Sequence, residues 1–203
     1  MRAVVAYERT VALLVVDVQN DFADPSGSLS VHGAAEVVPI VNAEIERAAG
    51  AGAPVFYTQD WHPASTPHFA KDGGIWPVHC VAETWGAEFH PDLVVDGPVV
   101  RKGANGEDGY SGFTMRDPVS DETIPTRLSS LLRERGVARL VVCGLATDYC
   151  VKSTALDGLA EGFRVRLLLD AVRSVDLQEG DGVRALAEVE EAGGELVQPS
   201  GSA

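Results

Sequence analysis

The sequence predicts an α/β fold, a three-layer sandwich in which a mostly parallel central sheet is flanked by helices. Two observations lead there. Short β-branched runs alternate with helix-length stretches, the pattern of βαβ units whose crossover helices cover both faces of a sheet. The 203 residues, 45% hydrophobic and 23% charged, suffice for one domain with a sizeable buried core, which excludes disorder and fibre.

The first strand is read at residues 10–16, where Val11 to Val16 are all apolar, as in a strand covered on both faces. A helix follows over 34–49, with Pro39 placing its start nearby. Next come strands at 54–58 and 99–102, a helix at 125–135, a strand at 139–143, a helix at 148–161, a strand at 164–169 and a helix at 181–191. Gly50, Gly136, Gly162 and Gly193 fall where helix C-caps belong. The tail, 193–203, reads as a short edge strand that then frays. One stretch breaks the alternation. Residues 60–92 have no sustained period, yet they hold all three tryptophans, four of the five histidines, and Pro63, Pro67, Pro77 and Pro91. A long irregular segment in a compact domain is normally functional, and this aromatic content argues against disorder.

Charge and cysteine usage narrow the function classes. Sixteen Lys and Arg against 30 Asp and Glu give a net charge of −14, a field that repels phosphate backbones and anionic lipid. Nucleic acid and membrane are therefore not expected as partners. The apolar run Val11 to Val16 is too short for a signal core or a membrane span, so the expected address is cytoplasmic. Cys80, Cys143 and Cys150 form no C-x-x-C pair and leave an odd thiol, against a disulfide framework.

Four constellations carry chemistry. Asp60-Trp-His62, His68 and His79 put one carboxylate and three imidazoles within twenty residues, donors suited to a borderline divalent ion such as zinc, iron(II) or manganese(II). Singly, each is a loop histidine bonding a turn; clustered beside a strand-end carboxylate, they read as a metal site. His32 and His90 lack such company and read as surface or packing residues. Asp17 ends the apolar strand and would face the crevice at the sheet's carboxyl edge, its pKa raised by partial burial, unless it only caps a turn with Asn20 and Asp21. Lys102, before Gly103, would point its ammonium into the same crevice. Finally, Leu140-Val-Val-Cys-Gly-Leu-Ala-Thr-Asp-Tyr-Cys150 leads a strand through a glycine turn into a helix, with Cys150 in its first turn. There free N–H groups favour a thiolate and can bind an oxyanion. Cys143 reads as core, and Cys80 as packing or a stray ligand.

These pieces in this order resemble the nicotinamidase and pyrazinamidase branch of the isochorismatase-like cysteine hydrolases. The residues that carry the resemblance are Val16-Asp17-Val-Gln-Asn-Asp-Phe22, Asp60-Trp-His62 with His68, Trp76-Pro-Val-His79-Cys, Val100-Arg-Lys102-Gly, Tyr110-Ser-Gly-Phe113 and Gly144-Leu-Ala-Thr-Asp-Tyr-Cys150-Val. The resemblance spans residues 11–174. It implies a single domain over 1–203 with a metal-binding loop insertion at about 60–92. It implies a metal-dependent cysteine amidohydrolase of NAD salvage that converts nicotinamide to nicotinate and ammonia and extends to pyrazinamide. By that similarity Asp17, Lys102 and Cys150 are the catalytic residues, and Asp60, His62, His68 and His79 hold one divalent ion. A non-proline cis peptide precedes Ala146, so that the N–H groups of Ala146 and Cys150 form the oxyanion hole. Phe22, Trp76, Tyr110 and Ala146 contact the substrate ring. Gly112 stands where relatives often carry Ala, which bears on pocket width. A homo-oligomer is compatible with the resemblance. The alternatives are a superfamily amidase acting on an N-carbamoyl or ureido substrate, and a catalytically inactive relative that binds a ligand.

Overall fold

Because its six side chains are all apolar, β1 (Val11–Val16) is buried along its whole length at the centre of the sheet. The computed structural model describes residues 5–198. After β1 come α1 (Asn20–Ala23), α2 (Val37–Gly50), β2 (Val55–Asp60), β3 (Val99–Lys102), β4 (Thr114–Arg116), β5 (Thr123–Pro125), α3 (Leu128–Glu134), β6 (Arg139–Leu145), α4 (Lys152–Ala160), β7 (Arg164–Arg173), α5 (Asp181–Glu191) and β8 (Glu195–Val197). Six strands form one sheet in the order β3-β2-β1-β6-β7-β8, with every pairing parallel. Alternate side chains of β1 feed the two cores. Leu13 and Val15 pack with Val37, Val41 and Ile45 of α2, while Ala12, Leu14 and Val16 pack with Leu128 and Leu132 of α3, Ala155 of α4 and Val189 of α5. Helices therefore cover both faces, as the sequence predicts.

Element boundaries differ from expectation for local reasons. The helix expected over 34–49 opens with a 3₁₀ turn, Ala34–Glu36, before α2; Pro39 lies in the first turn of α2, where its missing N–H costs little. Gly50 is still helical, and Gly52, at φ +69°, takes the left-handed position assigned to it; Gly136, Gly162 and Gly193 are left-handed as expected. The helix expected from 125 begins at Leu128, because Pro125 closes an antiparallel hairpin, β4–β5, that periodicity did not reveal. The helix expected from 148 is a π-helical turn, Thr147–Val151, followed by α4. The edge strand of the tail is β8; the fraying expected beyond it lies outside the described residues. No helix among the described residues is long and apolar enough to cross a membrane.

The 60–92 excursion is ordered by its own contacts. His62 bridges to Val81 and Phe69 to Trp76, and Phe69 is fully buried beneath the segment. Gln19 fastens it to the sheet, donating from Nε2 to the carbonyls of Asp60 and Ala87 at 2.8 and 2.9 Å.

Candidate active site

In this strand order the chain runs outward from β1 through β2 to β3, then returns to β6 on the other side of β1. The carboxyl ends of β1 and β6 thus flank a topological switch point, where parallel sheets open a crevice. Asp17 follows β1 and the turn to Cys150 follows β6. The strands approach closely here: Val16 pairs with Gly144, and a Cβ on Gly144, at φ +114°, would collide with the Val16 carbonyl. The Leu145–Ala146 peptide bond is cis, as the resemblance implies. On the other flank, Asp60 and Lys102 are register partners on β2 and β3.

These ends bring Asp17, Lys102 and Cys150 together. Lys102 is 1% exposed, not solvated as strand-end lysines usually are. Its Nζ lies 2.9 Å from Asp17 Oδ2 and 3.5 Å from Cys150 Sγ, and it also pairs with Asp60 Oδ1. Thr58 donates to Asp17 Oδ1 at 2.7 Å. Asp17 is fully buried and sits at φ +48°, a backbone conformation that costs a non-glycine residue about 1–3 kcal/mol and recurs at functional sites. It caps no helix.

Burial sets the protonation states. It pushes the Asp17 carboxyl above its usual range, with Lys102 opposing and Asp60 adding to the rise. Burial alone would lower Lys102, but Asp17, Asp60 and Cys150 hold its ammonium well above the ordinary value. The expectation that a helix N-terminus makes Cys150 a thiolate is corrected: burial pushes this thiol well up, against the pull of Lys102. Cys150 does lie in the opening turn of the expected helix, which is π-helical and precedes α4. A proton must therefore be taken from sulfur, and a carboxyl with a raised pKa adjoins it. Cys143 is core, its Sγ 3.8 Å from the Leu14 carbonyl; Cys80 packs on the Gly86 carbonyl at 3.8 Å, outside the converging donor groups found among the described residues.

The three histidines of the excursion form a second cluster beside the first. Their ring centroids lie 4.9 to 5.3 Å apart, and one nitrogen from each converges within 4.8 Å of the others. His79 Nδ1 lies 2.7 Å from the Pro77 carbonyl and so carries its proton there, leaving Nε2 with a free pair. His68 Nδ1 lies 2.7 Å from Asp108 Oδ1. Neither ring nitrogen of buried His62 has a hydrogen-bond partner among the described residues, a costly state that a cation would relieve. Burial holds His79 down at about 4, so it is a neutral donor near pH 7. Asp60 Oδ2 stands 3.7 Å from His62 Nε2 and 4.0 Å from His79 Nε2. Burial alone would raise this carboxyl, but Lys102, His62 and His79 keep it far below the usual range. Three imidazoles and one ionised carboxylate fit a borderline divalent cation. His32 is exposed, and the His90 ring accepts from the Asp92 N–H at 3.3 Å, away from the cluster.

An aromatic pocket opens above both clusters, lined by Phe22, His68, Trp76, Tyr110, Ala146, Tyr149 and Cys150 among others. Trp76 donates to the Tyr110 hydroxyl at 3.0 Å, and Tyr149 meets Trp76 edge-on at 4.8 Å. All four expected ring contacts line it. Gly112 does not: a Cβ there would press on Thr58 at 2.8 Å, so the expectation that it sets pocket width is corrected. Sequence reasoning missed Thr58, Asp108 and Tyr149. Tyr149 had a signal, being adjacent to Cys150; Thr58 and Asp108 had none short of the fold.

Comparison with known proteins agrees with this architecture. Residues 11–198 match the isochorismatase domain model. The chain is 37% identical to the nicotinamidase of Escherichia coli, over 91% of this chain and 93% of that one. Pyrazinamidase of Pyrococcus horikoshii, solved in complex with zinc, superposes with a TM-score of 0.83 at 42% identity, over 93% of this chain and 99% of that one. PnC1 from L. infantum, solved in complex with nicotinate, gives 0.88 at 35% identity, over 97% and 96%. With the family model covering the sheet, the excursion and the turn to Cys150 alike, the chain belongs to the isochorismatase domain family.

Proposed function

We propose that the chain hydrolyses nicotinamide to nicotinate and ammonia, and pyrazinamide to pyrazinoate by the same route. The observation that carries this reading is the meeting of Cys150 Sγ, Asp17 and Lys102 on the wall of an aromatic pocket that a histidine cluster also lines. A flat heteroaromatic amide needs aromatic walls, an anchor for its ring nitrogen and a nucleophile at its carbonyl. Relatives named for nicotinamide and pyrazinamide hydrolysis cover most of the chain.

The chemistry follows from the protonation states. In its ionised form Asp17 takes the proton of Cys150, and sulfur attacks the carboxamide carbon. The N–H groups of Ala146 and Cys150 receive the developing oxyanion; one such donor is typically worth about 10²- to 10³-fold in rate. Asp17 returns the proton to the departing nitrogen, and ammonia leaves a thioester on Cys150. Asp17 then accepts a proton from water, whose oxygen attacks the thioester; the C–S bond breaks to release nicotinate, and Asp17 hands its proton to the departing sulfur, restoring the thiol. Lys102 keeps Asp17 in register and stabilises the anion on sulfur. Asp60, His62, His68 and His79 would hold one divalent ion, zinc, iron(II) or manganese(II), which supplies an electron-pair acceptor for the pyridine nitrogen. The 60–92 segment is thus the metal-binding insertion of a single domain.

Three free, buried cysteines support a cytoplasmic address, and the net charge of −14 argues against nucleic-acid or anionic-membrane partners. The test is an ammonia-release assay on nicotinamide, pyrazinamide, an N-carbamoyl amino acid and a ureido acid, with and without chelator. Chelator-sensitive turnover of the two heteroaromatic amides is expected. Turnover confined to the other two would transfer the chain to a different amidase class.

A further inference from the structure

We propose that the β4–β5 hairpin is a buttress of the histidine cluster, and that Asp108 is the positioning residue through which it fixes His68 for metal binding. The inference rests on the reading of His62, His68 and His79 as metal ligands.

The hairpin reaches the cluster along two routes. On the first, Asp108 Oδ1 lies 2.7 Å from His68 Nδ1. An ionised carboxylate only accepts, so Nδ1 carries the proton and Nε2 is left with its free pair. Asp108 is clamped in turn to β4: its N–H donates to the Arg116 carbonyl at 2.8 Å, the Arg116 N–H donates back at 2.5 Å, and the guanidinium stands 3.6 Å from Oδ2. Arg116 is tied to the hairpin turn by Asp121 at 3.0 Å. On the second route, Gly103 donates from its N–H to Met115 Sδ at 3.3 Å. Gly103 is held at φ +80° against His62, where a Cβ would come within 2.6 Å of Nδ1. Thr114 Oγ1 donates to Asp157 Oδ2 at 2.6 Å, pinning the hairpin to α4.

The three rings are supported unequally. His79 leans on a backbone carbonyl and His62 on packing; Asp108 alone among the described residues offers a histidine Nδ1 a carboxylate. A carboxylate behind a ligating imidazole fixes ring orientation and raises donor strength, and its loss typically weakens metal binding about 10- to 100-fold.

The experiment is zinc affinity by competition with a chromophoric chelator, for the full chain, Asp108→Ala, Asp108→Asn, Arg116→Ala and a His79→Ala control, beside the Tm of each metal-free protein. Asp108→Ala is expected to raise the zinc Kd about 10- to 100-fold with an unchanged metal-free Tm. Asp108→Asn, which keeps an accepting oxygen without the charge, should give a smaller rise, and Arg116→Ala a smaller one still. A zinc Kd in Asp108→Ala within twofold of the parent overturns the inference and leaves the ligand assignment standing, provided His79→Ala loses zinc. If the parent chain binds no zinc, both fall together. Should Asp108→Ala not fold, the near-isosteric Asp108→Asn decides, and an unchanged Kd there is equally fatal.

Discussion

Lys102 and Asp60 are cross-strand partners on β3 and β2, and their buried side chains form an ion pair at the carboxyl edge of the sheet. The other oxygen of Asp60 faces His62 and His79. One carboxylate thus borders both clusters, steadying the ammonium beside Cys150 with one oxygen and completing the imidazole donor set with the other. On the proposed reading, metal binding and the setting of the nucleophile are joined through a single side chain.

Asp60→Asn should therefore damage both at once. Breaking a buried pair typically costs about 3–5 kcal/mol, but Lys102 retains Asp17 at 2.9 Å, so the fold should survive with a lowered Tm. Zinc content per chain should fall together with kcat. A variant that loses activity while holding zinc at parental stoichiometry would remove Asp60 from the metal site.

Cys150→Ala should abolish ammonia release while leaving fold and metal content intact. The Sγ atom accepts from Lys102, which keeps its pairs with Asp17 and Asp60 without it, and the substitution removes little volume from the pocket wall. Mass spectrometry of the parent enzyme quenched during turnover should show an acyl adduct on Cys150 that the variant lacks. Full turnover by Cys150→Ala would refute covalent catalysis.

The sheet was legible because burial on both faces writes itself as continuous apolar runs, such as Val11 to Val16, and the strand-end residues Asp17, Lys102 and Cys150 were legible because parallel topology sends all such ends to one edge. The hairpin was not. β4 and β5 are three residues each, half-exposed, and too short for any period to register. The protonation of Cys150 also escaped the sequence. A local argument from helix dipoles favours the thiolate, whereas the burial that overrides it arises from packing by distant segments. Asp108 and Thr58 belong to the same class, each forty-odd positions from its partner.

The pH profile should carry the mark of Asp17. The base must be ionised to take the thiol proton, so kcat/KM falls as pH drops through its pKa. Burial places that pKa above the roughly 3.9 of a free aspartate, and the acid limb should lie correspondingly higher. The Thr58 hydroxyl bonds the ionised carboxylate and so lowers this pKa. Thr58→Val removes that donor and should move the acid limb to higher pH, by on the order of one unit if the bond is worth about 1.5 kcal/mol or more. Thr58→Ser should restore it. An acid limb that is the same in all three proteins would show that Thr58 does not act on the base.

Gly112 offers a way to perturb the same contact from behind. Its backbone is pinned, with its N–H donating to Thr154 Oγ1 at 2.8 Å and its carbonyl accepting from Thr126 Oγ1 at 2.6 Å, so an added methyl cannot escape by shifting the chain. In Gly112→Ala the new Cβ would sit 2.8 Å from the Thr58 methyl, closer than real contacts allow, and it is Thr58 that must give. The displaced hydroxyl loosens Asp17 without touching the aromatic walls. Gly112→Ala should therefore lower kcat a few-fold and nudge the acid limb upward, with KM for nicotinamide unchanged, because substrate contacts outside the reacting centre are intact. Steady-state kinetics across pH would separate this from the alternative: a raised KM at constant kcat would mean that residue 112 shapes the pocket after all.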